Sequence, residues 1–316
     1  MFLHKEDRRL LLDIITTVSN ISGVRTDIIE KDYYVTLILR ELSETSLPAV
    51  FKGGTSLSKA HHVLNRFSED IDITFTEHLG ESRRRKLKYD MMKPIAEKLG
   101  LTIRNWDQIE SDRNLNHYDF CYDSVLDDGI SPISKYVKVE TSLMSFSFPT
   151  EIKPIDNYIY SAIGDTQRDM MREYELEPFD MRVQSLSRTV VDKAFALCDY
   201  YLLNKPERNA RHLYDLYKMK DCVSFDNEMK ELVREVREHR LTLGNAIAPA
   251  ADPSVDIAAL ADELISREFY RKDYDNTTVL MISDSIPYDV VIENYKQMVN
   301  ALFLKQKLNW YPDNGH

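Results

Sequence analysis

The 316-residue sequence predicts an α+β fold, with a mixed α/β domain over residues 1–180 followed by a helical domain over residues 181–316. Three observations carry that prediction. "PAVFKGG" (Pro48 to Gly54) is a short apolar run closed by glycines, the pattern of a strand entering a turn. "DIDITF" (Asp70 to Phe75) alternates and is rich in β-branched residues, as a half-buried strand should be. Beyond residue 165 glycines thin out and apolar residues recur at helical spacing, as in "VQSLSRTVVDKAFALCDYYLL".

The elements follow in order. Leu10, Leu11, Ile14, Ile15 and Val18 recur at helical spacing. After Ser22 and Gly23 a second helix starts at Thr26 or Asp27, whose side chains can cap it, and ends near Ser43. A strand then runs into Gly53 and Gly54, and "TSLSKAHHVLN" reads as a helix capped by Thr55 or Ser56. After the Asp70 strand comes a basic helix from about Glu81 to Leu99, then strand candidates "LTIRNW", "HYDFCYDS" and "KYVKVETSL". The helical half comprises "VQSLSRTVVDKAFALCDYYLL", "RNARHLYDLYKMK", "FDNEMKELVREVREHRL" and a last helix near "YDVVIENYKQMVNALFL". No internal repeat or low-complexity linker interrupts this order.

Composition narrows the function classes. Hydrophobic residues make up 43% and charged residues 29%, as in a folded globular protein. The net charge, 41 − 52 = −11, disfavours a general nucleic-acid coat, so any such contact needs a local basic patch. Cys121, Cys198 and Cys222 lie far apart with no C-x-x-C pair, which points away from disulfides and cysteine–zinc sites and toward buried thiols in a reducing compartment. His61 and His62 have no second ligand pair at metal spacing. No apolar run of membrane length and no signal-like core occurs, so a cytoplasmic protein without membrane partners is expected.

The chemistry concentrates between Phe51 and Phe75. In a strand, Asp70 and Asp72 would send both carboxylates to one face, and such a pair is costly without cations between its members. Mg²⁺ suits those hard oxygens. Gly53 and Gly54 let backbone approach a ligand, the following helix offers its amides to a phosphate, Thr55 and Ser56 add hydroxyls and Lys59 adds charge. Each half alone has a plain reading, as a strand edge and as a capped turn. Together they are the arrangement that holds a nucleoside triphosphate with its Mg²⁺.

"GGTSLSK" followed by "RFSEDID" resembles the G-[GS]…D-x-D signature of the DNA polymerase β-like nucleotidyltransferase superfamily. More narrowly, "EKDYYVTLILREL", "FKGGTSLSKA" and "RFSEDIDITF" are similar to the AbiEii/AbiGii/MenT group of nucleotidyltransferase toxins, and "DKAFAL" followed by "RHLYDL" is similar to that group's helical-domain motifs. The resemblance covers roughly residues 25 to 220. It implies a polymerase β-like catalytic domain, a triphosphate at Gly53, Gly54, Thr55, Ser56 and Lys59, and two Mg²⁺ at Asp70 and Asp72. It implies further that Lys193 contacts nucleotide phosphates, that Asp215 serves at the active site, and that a third carboxylate completes the metal set. Glu140 in "KYVKVETSL" is the candidate for that carboxylate. It shares a strand face with Lys138, so the reading competes with a simple Lys/Glu surface pair.

Read as residues alone, Lys193 lies off the apolar face of its helix beside small Thr189 and Ala196, and Arg208, Arg211, Asp215 and Lys218 share a face by 3-4-3 spacing. A solvated charged stripe is the plain alternative there. The run Arg83, Arg84, Arg85, Lys86 and Lys88 is either a solvated helix face or, with Arg208 and Arg211, an RNA contact. What the family resemblance implies is a Mg²⁺-dependent toxin that moves a nucleoside monophosphate from an NTP to an acceptor hydroxyl, with the tRNA 3′ end as acceptor and an antitoxin encoded elsewhere. A protein hydroxyl as acceptor, and a nucleotide-binding regulator without transfer, are the competing expectations.

Overall fold

The computed structural model describes residues 1–303 apart from 65, 67, 111–112, 127–130 and 132. The chain divides into two compact units: Met1–His62 with Ser68–Gln184, and Val63–Phe67 with the chain from Ser185 onward.

In the first unit, strands β1 (Ala49–Lys52), β2 (Ile71–Phe75), β3 (Thr102–Ile103), β4 (Leu115–Cys121), β5 (Tyr136–Phe146), β6 (Thr150–Ile155) and β7 (Phe179–Gln184) form one mixed sheet in the order β3-β4-β5-β2-β1-β7-β6. β2 lies antiparallel to β1 and parallel to β5, and β1 lies parallel to β7. Strand alternation sorts the side chains: Ile71 and Ile73 of β2 and Val137 and Val139 of β5 are buried, while Asp72, Lys138 and Glu140 sit half-buried on the opposite face. The Thr26–Ser43 helix packs against β5 and β7 and is buried on most of its circumference, including Tyr33, Leu37 and Ile38. Its buried Lys31 is held by the Ser134 carbonyl at 2.8 Å and by Glu69 at 3.0 Å.

The second unit is helical. Leu186–Leu202, Arg211–Met219, Asn227–Leu241, Ile257–Ser266 and Tyr288–Phe303 are its longer helices. Ser185 and Asp226 cap two of them by accepting from Arg188 N at 3.2 Å and Met229 N at 3.0 Å. Val190, Ala194, Leu197, Leu213, Leu216, Val291 and Tyr295 build the core. Inside it Tyr295 Oη donates to the Ala194 carbonyl at 3.3 Å, and Tyr270 Oη to that of Leu197 at 2.6 Å.

Several expectations differ from this structure. β6 and β7 fall where the spacing predicts helix or marks no element, and Val183 and Gln184 end a strand instead of starting a helix. Met181 and Val183 alternate inward in β7, but β6 exposes Ile152, so its own sequence carries no clean strand signal. The helix after the glycine turn spans Gly53–Lys59 only, beginning before Thr55 and Ser56, so neither residue is its cap. Asp70 precedes β2 and does not belong to it. The basic segment does run from Glu81 to Leu99, with a π-helical middle over Leu87–Met92. Of the three thiols, only Cys198 is buried. Among the described residues no helix is long and apolar enough to cross a membrane.

Candidate active site

Gly53 has φ +77°, in the left-handed region, and a Cβ built on it would stand 1.9 Å from Asp72 Oδ2 and 2.7 Å from Asp72 Cγ. Only glycine leaves room for that carboxylate. The approach follows from register, because Lys52, the residue before the turn, pairs with Asp72 across the β1–β2 ladder. On the far side of β2, the parallel ladder sets Asp72 opposite Glu140, and β4 sets His117 opposite Glu140. Ladder partners share a face, so Asp72 and Glu140 project from one side of the sheet beside the glycine turn.

Two hydroxyls shape the turn. Ser56 Oγ donates to the Gly53 carbonyl at 2.9 Å, and Thr55 Oγ1 donates to the Asp70 carbonyl at 2.5 Å while lying 2.9 Å from Ser68 Oγ. Both side chains are buried, so they fix the backbone around Gly53 and Asp70. No side chain caps the helix that begins at Gly53, and backbone amides are therefore what this turn offers an anion. Lys59 has a structural partner: its ammonium pairs with Asp32, whose second oxygen accepts from Tyr158 N at 2.9 Å.

A neighbouring lysine enters the acidic face instead. Lys138 donates to the Glu140 carboxylate. Burial works to lower its pKa, but the hydrogen bond and charge of Glu140, with the charges of Asp70 and Asp72, outweigh that and hold the ammonium above its ordinary value. The donor chemistry fits a hard divalent cation: the carboxylates at 72 and 140 are in register on adjacent strands, and Asp70 is the residue just before β2. Among the described residues no three His, Cys, Asp or Glu side chains already converge as a metal cage.

The basic run is largely engaged. Arg83 pairs with Glu77, Arg84 donates to Asn114 Oδ1 at 2.8 Å and to the Leu79 carbonyl at 2.9 Å, and Arg85 pairs with Glu81 at 2.8 Å. Lys88 is buried and donates to the carbonyls of Trp106 and Ile109 at 3.1 and 2.7 Å.

In the helical unit the predicted lysine and aspartate do meet, in a setting the spacing did not show. Asp215, fully buried, accepts from Lys193 Nζ at 2.8 Å and from two nitrogens of Arg66, Nε at 2.7 Å and Nη2 at 2.9 Å. Lys193 also stands 3.1 Å from His212 Nδ1. Burial alone would raise the Asp215 carboxyl, yet Arg66 and then Lys193 hold it well below the carboxylate range. Burial lowers Lys193, against the pull of Asp215, and lowers His212 strongly, so His212 is neutral and its Nδ1 accepts from the ammonium. Lys193 is thus buried, where its small neighbours suggested an open position. Arg211 starts its helix, but Arg208 precedes it with φ +64° and gives its backbone N–H to Asp273 at 2.9 Å. Lys218 pairs with Asp284 at 2.9 Å. Arg66 and His212 escaped the sequence reading. Arg66 lies 149 residues from its partner, and no local pattern marks it; the available signal was that a carboxylate among Leu213, Leu216 and Tyr214 must be buried and so must have a cation.

Comparison with known proteins identifies the family and the fold. The family model described as "Nucleotidyl transferase AbiEii toxin, Type IV TA system" matches residues 37–299. No curated protein matches the chain. Among solved structures the fold is similar to MenT4, a nucleotidyltransferase toxin from Mycobacterium tuberculosis H37Rv, with a TM-score of 0.57 at 17% identity over 91% of this chain and 89% of that one. The chain therefore belongs to the AbiEii nucleotidyltransferase toxin family, and it is a nucleotidyltransferase of the toxin–antitoxin type.

Proposed function

We propose that the protein transfers a nucleoside monophosphate from an NTP to the 3′-terminal hydroxyl of a tRNA, in a Mg²⁺-dependent reaction held in check by a cognate antitoxin. The observation that carries the reading is Asp72, seated against Gly53 and in register with Glu140. Asp70, Asp72 and Glu140 are the residues that would hold Mg²⁺, which when bound neutralises triphosphate charge and makes the acceptor hydroxyl more acidic. The protein's own residues do the rest. The amides after Gly53 receive phosphate oxygens, and Ser56 and Thr55 keep that backbone in shape; within the helical unit, Lys193, held by Asp215, is the residue the family resemblance assigns to nucleotide phosphates. In the reaction the acceptor oxygen forms a bond to the α-phosphorus, the α–β phosphoanhydride bond breaks, pyrophosphate leaves with the electron pair, and the hydroxyl proton passes to solvent.

The net charge of −11 and the engaged arginines of the 83–85 run favour, as a second reading, a hydroxyl on a protein acceptor. One experiment separates the two. Folded protein is incubated with Mg²⁺, each α-labelled NTP and either a tRNA pool or a cell lysate. Label at tRNA 3′ ends, lost in Asp72→Asn, is the expected result; label in protein bands alone replaces the acceptor, and no label from any NTP overturns the proposal.

A further inference from the structure

The acidic face of the sheet contains a cation of its own. Lys138 and Glu140 are two residues apart on β5 and therefore project to the same side, and the ammonium of Lys138 sits on the Glu140 carboxylate. Glu140 is the ladder partner of Asp72. Lys138 is itself opposite Asp119, but that carboxylate is engaged by Arg104 at 2.9 Å, so it does not draw the ammonium away from Glu140. The charges of Asp70 and Asp72 also act on Lys138. Every carboxylate assigned above to the metal thus acts on one lysine, whose side chain remains one-third exposed, 33%, beside a Glu140 side chain at 32%. A partly exposed lysine on a long flexible stem can leave such a position at small cost.

The geometry points to Lys138 as a built-in counter-ion: it occupies the carboxylate set while no divalent cation is present and must withdraw from Glu140 when one binds, so it sets how much metal the site requires. The inference rests on the assignment of Asp70, Asp72 and Glu140 to the metal. Physically, the carboxylates of Asp72 and Glu140 on one face, with the charge of Asp70 near them, repel one another, and a resident ammonium relieves that repulsion. A doubly charged ion interacts more strongly with the same oxygens, so exchange remains favourable, but the lysine weakens apparent affinity.

The test uses the full chain without nucleotide, with Mn²⁺ titrated and free Mn²⁺ counted by electron paramagnetic resonance. Lys138→Met and Lys138→Gln are compared with wild type, with Lys138→Arg, and with Asp72→Asn. The expected result is Mn²⁺ binding tighter by about fivefold or more in the two neutral variants, wild-type binding in Lys138→Arg, and loss of binding in Asp72→Asn. Thermal melting gives an independent readout. Without metal the neutral variants should melt below wild type, and Mn²⁺ should raise their melting temperature by more than it raises that of wild type. Unchanged or weaker Mn²⁺ binding in Lys138→Met and Lys138→Gln, with Asp72→Asn still abolishing it, overturns the counter-ion role alone. Mn²⁺ binding that survives Asp72→Asn overturns the metal assignment and this inference with it.

Discussion

Gly53 and Asp215 show how differently two predicted site residues can work. Gly53 is required by space and by backbone angle together, since a methyl group there would overlap the Asp72 carboxylate and the positive φ disfavours any other side chain. Gly53→Ala is expected to cost about 1–3 kcal/mol through strain and to remove nucleotidyl transfer by displacing Asp72. Chemical denaturation and the labelled-NTP assay check the two effects separately. Asp215 is buried and held by two cations, Lys193 and Arg66, so its place is inside an ion-pair cluster of the helical unit. Removing its charge leaves both cations buried without their partner, a loss of about 3–5 kcal/mol. Asp215→Asn should therefore lower the denaturation midpoint sharply as well as transfer, and a variant of wild-type stability would contradict the buried ion-pair description.

The short helix after β1 and the strand β2 are joined through one hydroxyl, Thr55 Oγ1 on the Asp70 carbonyl. Thr55→Val keeps the shape and removes that bond, for which about 0.5–1.5 kcal/mol of stability is expected to be lost. Transfer should fall by more than this stability change implies, because Asp70 loses its anchor; equal wild-type turnover would show that the bond does not position the carboxylate. β1 is readable as a short apolar run closed by glycines, and β2 and β5 by their apolar alternation, which burial of Ile71, Ile73, Val137 and Val139 reinforces. The sequence did not show β6, which exposes Ile152, or where the helix at Gly53 starts, which the register with Asp72 decides. Glu140 was legible as a strand residue on the Lys138 face, but its pairing with Asp72 is a property of the ladder and of no local pattern. The lysine and aspartate motifs of the helical unit were legible by resemblance, whereas Arg66 and His212 depend on tertiary packing.

Across the molecule, His4, His61 and His212 are held neutral by burial, which is nearly complete for His4 and partial for His61 and His212. His4, between Tyr33 Oη at 2.9 Å and the Leu99 carbonyl at 2.8 Å, and His61, 3.0 Å from the Gln184 carbonyl, are both lowered by burial, as is His212. A lowered folded value means that the unfolded chain takes up protons first as pH drops below 6.5. Stability is therefore fully present above that value and declines below it, by at most about 1.4 kcal/mol per pH unit for each such histidine. Denaturant midpoints measured from about pH 8 to about pH 5.5 should fall with acid, and His4→Gln together with His61→Gln should flatten the slope.

The segment Val63–Phe67 has a consequence for inheritance. It groups with the helical unit although the chain on both sides of it belongs to the sheet unit, and it carries the arginine that holds Asp215. A gene cut after Gln184 would send Arg66 away with the wrong half, and each product would lack part of a buried ion pair. The two units therefore cannot be exchanged between relatives by a single crossover, and a functional chimera must carry the five residues of Val63–Phe67 along with the helices that use them.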